Sequence, residues 1–377
     1  MMKNFVLADK RQYFWIVLSL LLILISPNLY RYGVLNFWSL SFLNKTYDLL
    51  QDNQTINQPP TNHPRSSLWF ARNAVMVGDP DKAIQLVETL ALQGNVDALV
   101  ITGEALYAKE DYEGSIRTWM MAGYARAIKD LAGTKEQDGD LEIASEGYYA
   151  FYSLNPEAGM LPLINFLFRT KQNPMLIEEL LRKSIKDYPD SIYLGLWLQN
   201  LGEALSQQGR WDEALEVYHG SIKQDPNIAE SYIGIAQVLS NEHRYAEADI
   251  WFQQAIILKQ DKLWWYLLRA SAARESGNIA LAIDIYEESI HRFPNFAKAY
   301  HEVAWVYRLE DQPDKAIAAI ERAIELKSPP SQWYYVRAGN IYEWVGDVRT
   351  AASSYLKAID INPKNEAALQ GLKRIGD

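Results

Sequence analysis

Apolar positions along most of the chain recur at the spacing of amphipathic helices, and the helices recur with a period of 34 residues. Segment 211–227 (WDEALEVYHGSIKQDPN) shows the unit, in which a small residue is followed four positions later by a bulky apolar one. The small residues are Ala214, Ala248, Ala282 and Ala316, and the bulky ones are Tyr218, Phe252, Tyr286 and Ile320. A short repeat of this kind predicts stacked helical units, because a single helix pair cannot bury its apolar face alone.

This pattern resembles the tetratricopeptide repeat, in which two antiparallel helices are joined by a short turn. Well-matched units over 195–365 begin at 195, 229, 263, 297 and 332, and their turn positions are Gly209, His243, Gly277, Asp311 and Gly346. Degenerate units over 64–194 begin at 64, 96, 125 and 158, and residues 366–377 predict a capping helix. The resemblance implies an all-α fold, a right-handed α-solenoid of about nine units.

A different pattern precedes the repeats. Residues 13–30 carry no charge and are mostly apolar, which with their flanks is just long enough to cross a bilayer. Aromatic residues stand at both ends of this run, as at membrane interfaces. We expect residues 12–33 to form a single transmembrane helix after a short tail over 1–11. A cleaved signal peptide would need small residues at its cleavage site, which this sequence lacks, and a buried core helix would not be flanked by charges.

The basic residues around this run favour one orientation. Lys3, Lys10 and Arg11 precede it, whereas Arg31 and Lys45 follow it, so the positive-inside rule favours a cytoplasmic N-terminus. We therefore expect a single-pass protein of the bacterial plasma membrane with its repeats outside the cytoplasm. Residues 34–50 predict a short helix, which lies in the membrane interface or packs on the repeats. Residues 51–63 read as a polar linker.

Charge and composition exclude several classes of function. The chain of 377 residues has a net charge of -10, and residues 64–377 alone carry -12, so we expect no nucleic-acid partner. The absence of cysteine excludes disulfides and thiolate metal sites. No histidine pair has helical zinc spacing, and no phosphate loop or nucleophile elbow occurs. We therefore predict no catalytic residue, no metal and no cofactor.

The resemblance also implies where a partner binds, because the second, fifth, ninth and twelfth positions of each first helix face a groove in tetratricopeptide proteins. In the units at 195 and 229 these positions are Leu196, Gln199, Glu203, Ser206, Glu230, Ile233, Gln237 and Ser240. In the three C-terminal units the predicted protein-binding residues are Trp264, Leu267, Arg274, Lys298, His301, Trp305, Arg308, Trp333, Asn340 and Glu343.

The three tryptophans of this set have two interpretations. Tryptophan and arginine are enriched in binding hot spots, so an exposed aromatic patch with basic neighbours predicts a peptide-binding site. The same rings would equally serve as core between adjacent first helices. The lysine and asparagine pattern of a chaperone-type carboxylate clamp does not match here, so a C-terminal carboxylate ligand is not implied.

These features predict a non-enzymatic, membrane-anchored scaffold or assembly factor. It would bind partner proteins or peptides in its groove, with a membrane or envelope complex as the partner. One alternative is an accessory protein that handles glycans or envelope polymers by stacking sugar rings on its aromatic side chains. Another is a regulatory subunit whose catalytic partner is a separate chain.

Overall fold

The computed structural model describes residues 64–376 except 328 and 330. The predicted N-terminal tail, transmembrane helix, short helix over 34–50 and linker over 51–63 lie outside these residues. Within the described part of the chain, no helix combines the length and the apolar character that a bilayer span requires.

Every regular secondary-structure element from residue 64 onward, as far as the structure describes the chain, is an α-helix, and there are nineteen. They are α1 Pro64–Met76, α2 Pro80–Leu92, α3 Val96–Ala108, α4 Tyr112–Ala122, α5 Ala125–Asp138, α6 Leu141–Leu154, α7 Pro156–Arg169, α8 Pro174–Asp187, α9 Leu194–Gln207, α10 Trp211–Gln224, α11 Ala229–Asn241, α12 Tyr245–Leu258, α13 Leu263–Glu275, α14 Ile279–Arg292, α15 Ala297–Leu309, α16 Pro313–Leu326, α17 Gln332–Trp344, α18 Val348–Ile361 and α19 Glu366–Gly376. The predicted all-α repeat solenoid is confirmed. The odd-numbered helices up to α17 open pairs and the even-numbered helices close them.

The described part of the chain divides into two compact units, the first ending at residue 150 and the second beginning at residue 151, so the boundary lies inside α6. In the first unit, helices α1 to α5 each pack against the next, and α1 also contacts α3. In the second unit, helices α7 to α19 each pack against the next. The first helices α9 and α11 also contact each other, as do α15 and α17.

Each well-matched pair turns at a residue with left-handed backbone conformation. The φ angle is +74° at Gly209, +81° at Gly277 and +86° at Gly346. It is +63° at His243 and +53° at Asp311, where a Cβ makes this conformation costly. The five turn positions predicted from the repeat are therefore confirmed. Such a residue ends a helix by letting the chain reverse while its last carbonyls stay bonded.

The core of each pair forms where a small residue faces a large one. Ala214, Ala248, Ala282 and Ala316 are all fully buried, as the repeat predicts. The Tyr218 ring of α10 fits between Gly202 of α9 and Gly234 of α11, so it joins one pair to the next. A Cβ on Gly202 would lie 2.6 Å from Tyr218 Cε1, so only glycine allows this approach.

Candidate functional site

A cavity of about 390 Å³ opens between the first helices α9 and α11. Six of the eight positions that the resemblance assigns to the groove in these two units line it. They are Gln199, Glu203, Ser206, Glu230, Ile233 and Gln237. We call the side of the first helices that carries these positions the groove face. The cavity is therefore a depression in the groove face of the second compact unit, which begins at residue 151.

The depth of the cavity depends on a glycine. Gly234 and Tyr218 both line it, and the ring lies so close to Gly234 that a side chain there would collide with it. The ring thereby becomes part of the cavity wall while it also holds α10 against α11. Burial raises the pKa of the Tyr218 hydroxyl, which keeps this group neutral and able to donate a hydrogen bond.

The charged groups that line the cavity are all acidic. Glu230 pairs with Lys259, the residue that follows α12, whose Nζ lies 2.7 Å from Glu230 Oε1. Glu203 forms no ion pair among the described residues, and its carboxylate accepts hydrogen bonds from Gln199 and from Gln207, whose Nε2 lies 3.5 Å from Glu203 Oε1. Burial raises the pKa of the Glu203 carboxyl, and the Gln199 hydrogen bond opposes that rise. The cavity thus presents a desolvated carboxylate that no cation neutralises.

Further along the groove face, arginine side chains take the place of the acidic side chains. The Trp305 ring of α15 has guanidinium groups beside it, with Arg308 Cζ 4.5 Å and Arg337 Cζ 5.5 Å from the ring centroid. Arg337 Nη2 lies 3.7 Å from Glu302 Oε2, whereas its Nη1 is buried with no hydrogen-bond partner. Burial lowers the pKa of Arg337, and Glu302 opposes that shift. We call Arg274, Trp305, Arg308 and Arg337 the arginine cluster.

Two of the three predicted groove tryptophans are well exposed. Trp264 is 53% exposed and Trp333 is 58% exposed, so neither is a core residue, whereas Trp305 is half-buried. The Trp264 ring packs edge-on against Phe296 and lies 4.3 Å from Lys298 Nζ. No ring contact joins any two of these tryptophans in the part of the chain that the structure describes. They therefore do not form one continuous aromatic patch.

Two predicted groove residues are nearly buried. Leu267 and His301 are only 5% and 8% exposed, so little of either side chain is available to a partner. The His301 ring lies 4.5 Å from the Tyr334 ring of α17, and its Nδ1 lies 3.3 Å from Glu302 Oε1. Both residues occupy the fifth position of their unit, as do Gln199 and Ile233, which line the cavity.

Two further predicted residues are already bonded within the chain. Arg374 of α19 donates from Nε and Nη2 to the two Glu343 carboxylate oxygens, each at 2.9 Å. These bonds are the main reason that the pKa of Glu343 is lowered. The Tyr355 hydroxyl lies 2.8 Å from Asn340 Oδ1. Asn340 and Glu343 thus fix α19 and α18 to α17.

Sequence reasoning missed Arg337 and Glu302, which lie outside the four groove positions. A signal existed, because Arg337 follows Trp333 by four residues and therefore shares its helix face. The stacking of Arg337 on Trp305 had no such signal, since it joins helices of two different units. No pattern in the sequence indicated the cavity, because the cavity depends on how closely α9 and α11 approach each other.

Models of the tetratricopeptide repeat match the chain at residues 198–230, at 70–130 and 267–331, and at 334–365. Together these matches cover about half of the chain, and they fall in both compact units.

Two individual relatives are about one quarter identical to this chain over the aligned residues. Protein O-mannosyl-transferase TMTC1 of Homo sapiens is 24% identical over 182 residues, which are 47% of this chain and 20% of that protein. Stress-induced-phosphoprotein 1 of Caenorhabditis elegans is 26% identical over 176 residues, 44% of this chain and 52% of that protein. The chain thus spans only about half or less of these relatives.

Among solved structures, PilW, described as a widely conserved type IV pilus biogenesis factor, superposes with a TM-score of 0.50 and 17% identity. That match covers 58% of this chain and 99% of PilW, and at this identity it supports the fold alone. The repeat models, the helix pairs and the left-handed turns agree, and the chain belongs to the tetratricopeptide repeat family.

Proposed function

We propose that this chain is a non-enzymatic scaffold that holds a segment of a partner protein along the groove face of residues 151–377. The cavity between α9 and α11 carries this proposal, because six groove positions line it and tetratricopeptide repeat proteins bind protein or peptide partners. Most of the side chains that line it are polar, which suits the side chains of a peptide better than a large apolar ligand.

The membrane is the second part of the proposal. We propose that residues 12–33 anchor the scaffold in a plasma membrane with the N-terminus in the cytoplasm, so that the partner belongs to a membrane or envelope complex. The uncharged run over 13–30 and the basic residues before it support this. A glycan-handling role is the second candidate, because the indole rings of Trp264 and Trp333 are more than half exposed and suit sugar stacking.

The binding proposal is tested with the full-length protein in detergent micelles. A phage library of random peptides, each about 12 residues long to match the groove face, is selected on the native protein and on Gln237→Tyr. The Gln237 side chain lines the cavity, so a tyrosine there fills it. We expect peptides enriched on the native protein to bind Gln237→Tyr at least about tenfold more weakly.

The matched control is Glu216→Tyr, which adds the same side chain at an exposed position of α10 that does not line the cavity. Circular dichroism checks that all three proteins keep their helices. Equal binding to the native protein and to Gln237→Tyr would show that the cavity is not the site.

A further inference from the structure

We propose that the partner segment is bipolar: a lysine or arginine side chain enters the cavity between α9 and α11, and aspartate or glutamate side chains bind the arginine cluster. This inference rests on the proposed function and adds to it the charge and spacing of the ligand. It follows from opposite, unpaired charges at two places on the groove face.

The cavity selects a cation because of what lines it. Glu203 and Glu230 are the charged residues there, and only Glu230 has a cationic partner, Lys259. An apolar side chain in the cavity would desolvate Glu203 further without any compensating bond. A lysine or arginine would supply a charge-assisted hydrogen bond to that carboxylate, which is about twice as strong as a neutral one.

The arginine cluster selects carboxylates for the opposite reason. Arg308 forms no ion pair with any described residue, and its Cζ lies 4.5 Å from the centroid of the Trp305 ring. The N–H groups at the edge of a stacked guanidinium stay free to bind a carboxylate in a bidentate manner. Arg337 adds positive charge beside Trp305, and its Nη1, which has no acceptor, is buried and therefore not a direct contact for the partner. Arg274 Nη2 lies 3.6 Å from Glu275 Oε1.

The carboxylates of the chain that face this cluster are occupied. Arg374 binds Glu343 and is the main cause of the lowered pKa of that carboxyl. Arg308 acts on Glu343 only as a weaker, more distant charge. Glu302 is shared between His301 and Arg337. Arg308 is thus the arginine of this cluster that has no ion-pair partner among the described residues, so on a region whose net charge is -12 it is the group that an acidic segment would recognise.

The fold also sets the spacing of the two charges. First helices of adjacent units pack side by side at roughly 8–10 Å. The step from the gap between α9 and α11 to α15 is therefore about 25 Å. An extended chain advances about 3.3 Å per residue, so the basic and acidic residues of the partner should stand about eight residues apart.

Sequencing of the peptides enriched on the native full-length protein tests this. We expect lysine or arginine at one position and aspartate or glutamate about eight positions away. Selection on Glu203→Gln should lose the basic preference and keep the acidic one, and selection on Arg308→Gln should do the reverse. Matched controls are Glu325→Gln and Arg322→Gln, an exposed ion pair on α16, which should change neither preference.

One enriched peptide then gives a quantitative test. Exchange of its lysine for norleucine should weaken binding to the native protein about tenfold and to Glu203→Gln by less than about twofold, since the partner carboxylate is gone. Enriched peptides that require the cavity yet show no charge pattern would overturn the bipolar segment and leave the proposed function standing. Failure of the native protein to enrich any peptide would overturn both.

Discussion

At the scale of single residues, Gly234 serves packing and the candidate site together. Because it has no side chain, the Tyr218 ring can contact α11 and also form part of the cavity wall. The same arrangement recurs where the Tyr355 ring meets Gly339 of α17 and Gly371 of α19. At these two junctions, a ring between two glycines thus joins one helix pair to the helix that follows.

Gly234→Ala should lower the free energy of unfolding by about 1–3 kcal/mol, since the new methyl group would overlap the Tyr218 ring in a packed core. Chemical denaturation followed by circular dichroism measures this. Gly220→Ala is the control, because a Cβ at that helical position meets Leu198 Cδ1 at an ordinary 3.7 Å. We expect it to raise stability by about 0.5–1 kcal/mol. Equal effects of the two substitutions would refute the ring contact.

The sequence anticipated this packing only in part. The spacing of Ala214 and Tyr218 predicted a small residue facing a large one, and both are buried. It did not show that the ring reaches Gly234 of the following unit, because periodicity reports which face of a helix is apolar and not how far a side chain extends across it.

At the scale of elements, the turns repeat one backbone conformation with different residues. Gly277 adopts it freely, whereas Asp311 adopts it at the corresponding place one period later. A Cβ on Gly277 would meet no atom within 4 Å, so any effect of a substitution there reflects backbone conformation alone. The two positions therefore isolate the cost of a side chain in the left-handed region.

Asp311→Gly should raise the free energy of unfolding by about 0.5 kcal/mol, because relief of the left-handed strain exceeds the entropy that glycine adds to the unfolded chain. Gly277→Ala should lower it by about 1 kcal/mol. Thermal unfolding of the native protein and of both variants measures these two changes in the free energy of unfolding. A stabilising Gly277→Ala would contradict the left-handed φ of +81° at that position.

Element geometry also explains why the groove residues were only partly predictable. The second positions, Trp264 and Trp333, are exposed as expected, since they lie at the open edge of their helices. Leu267 and His301, at the fifth position, are nearly buried, whereas Gln199 at the same position is partly exposed and lines the cavity. Spacing along one helix cannot distinguish an open edge from an edge that another helix covers.

At the scale of the whole molecule, the fold was predictable because its contacts are local. Each helix pair repeats within 34 residues, so a single sequence displays the unit several times. The site was not predictable in this way, because its defining contacts join residues of different repeat units. These contacts are Trp305 with Arg337, and Glu343 with Arg374. Those pairs follow no period and become visible only when the helices are placed.

The proposed anchor makes a prediction at this scale. A reporter that is active only outside the cytoplasm, fused after Asp377, should be active in cells, because by the positive-inside rule Lys3, Lys10 and Arg11 favour a cytoplasmic N-terminus. Substitution of all three by glutamine should reduce that activity. Activity of a cytoplasm-only reporter at the same position would place the repeats, and every candidate partner, on the other side.

The contact of one tyrosine ring with two glycines has a consequence for how such a chain can change length. The junction before α11 is made by Tyr218 and Gly234, and the junction before α19 is made by Tyr355 and Gly371. A tandem duplication of 34 residues would place every side chain at both new junctions in a familiar register. An insertion of any other size within a helix pair would rotate those faces out of contact. The array can therefore grow or shrink by whole units, and the reach of its groove face changes in the same discrete steps.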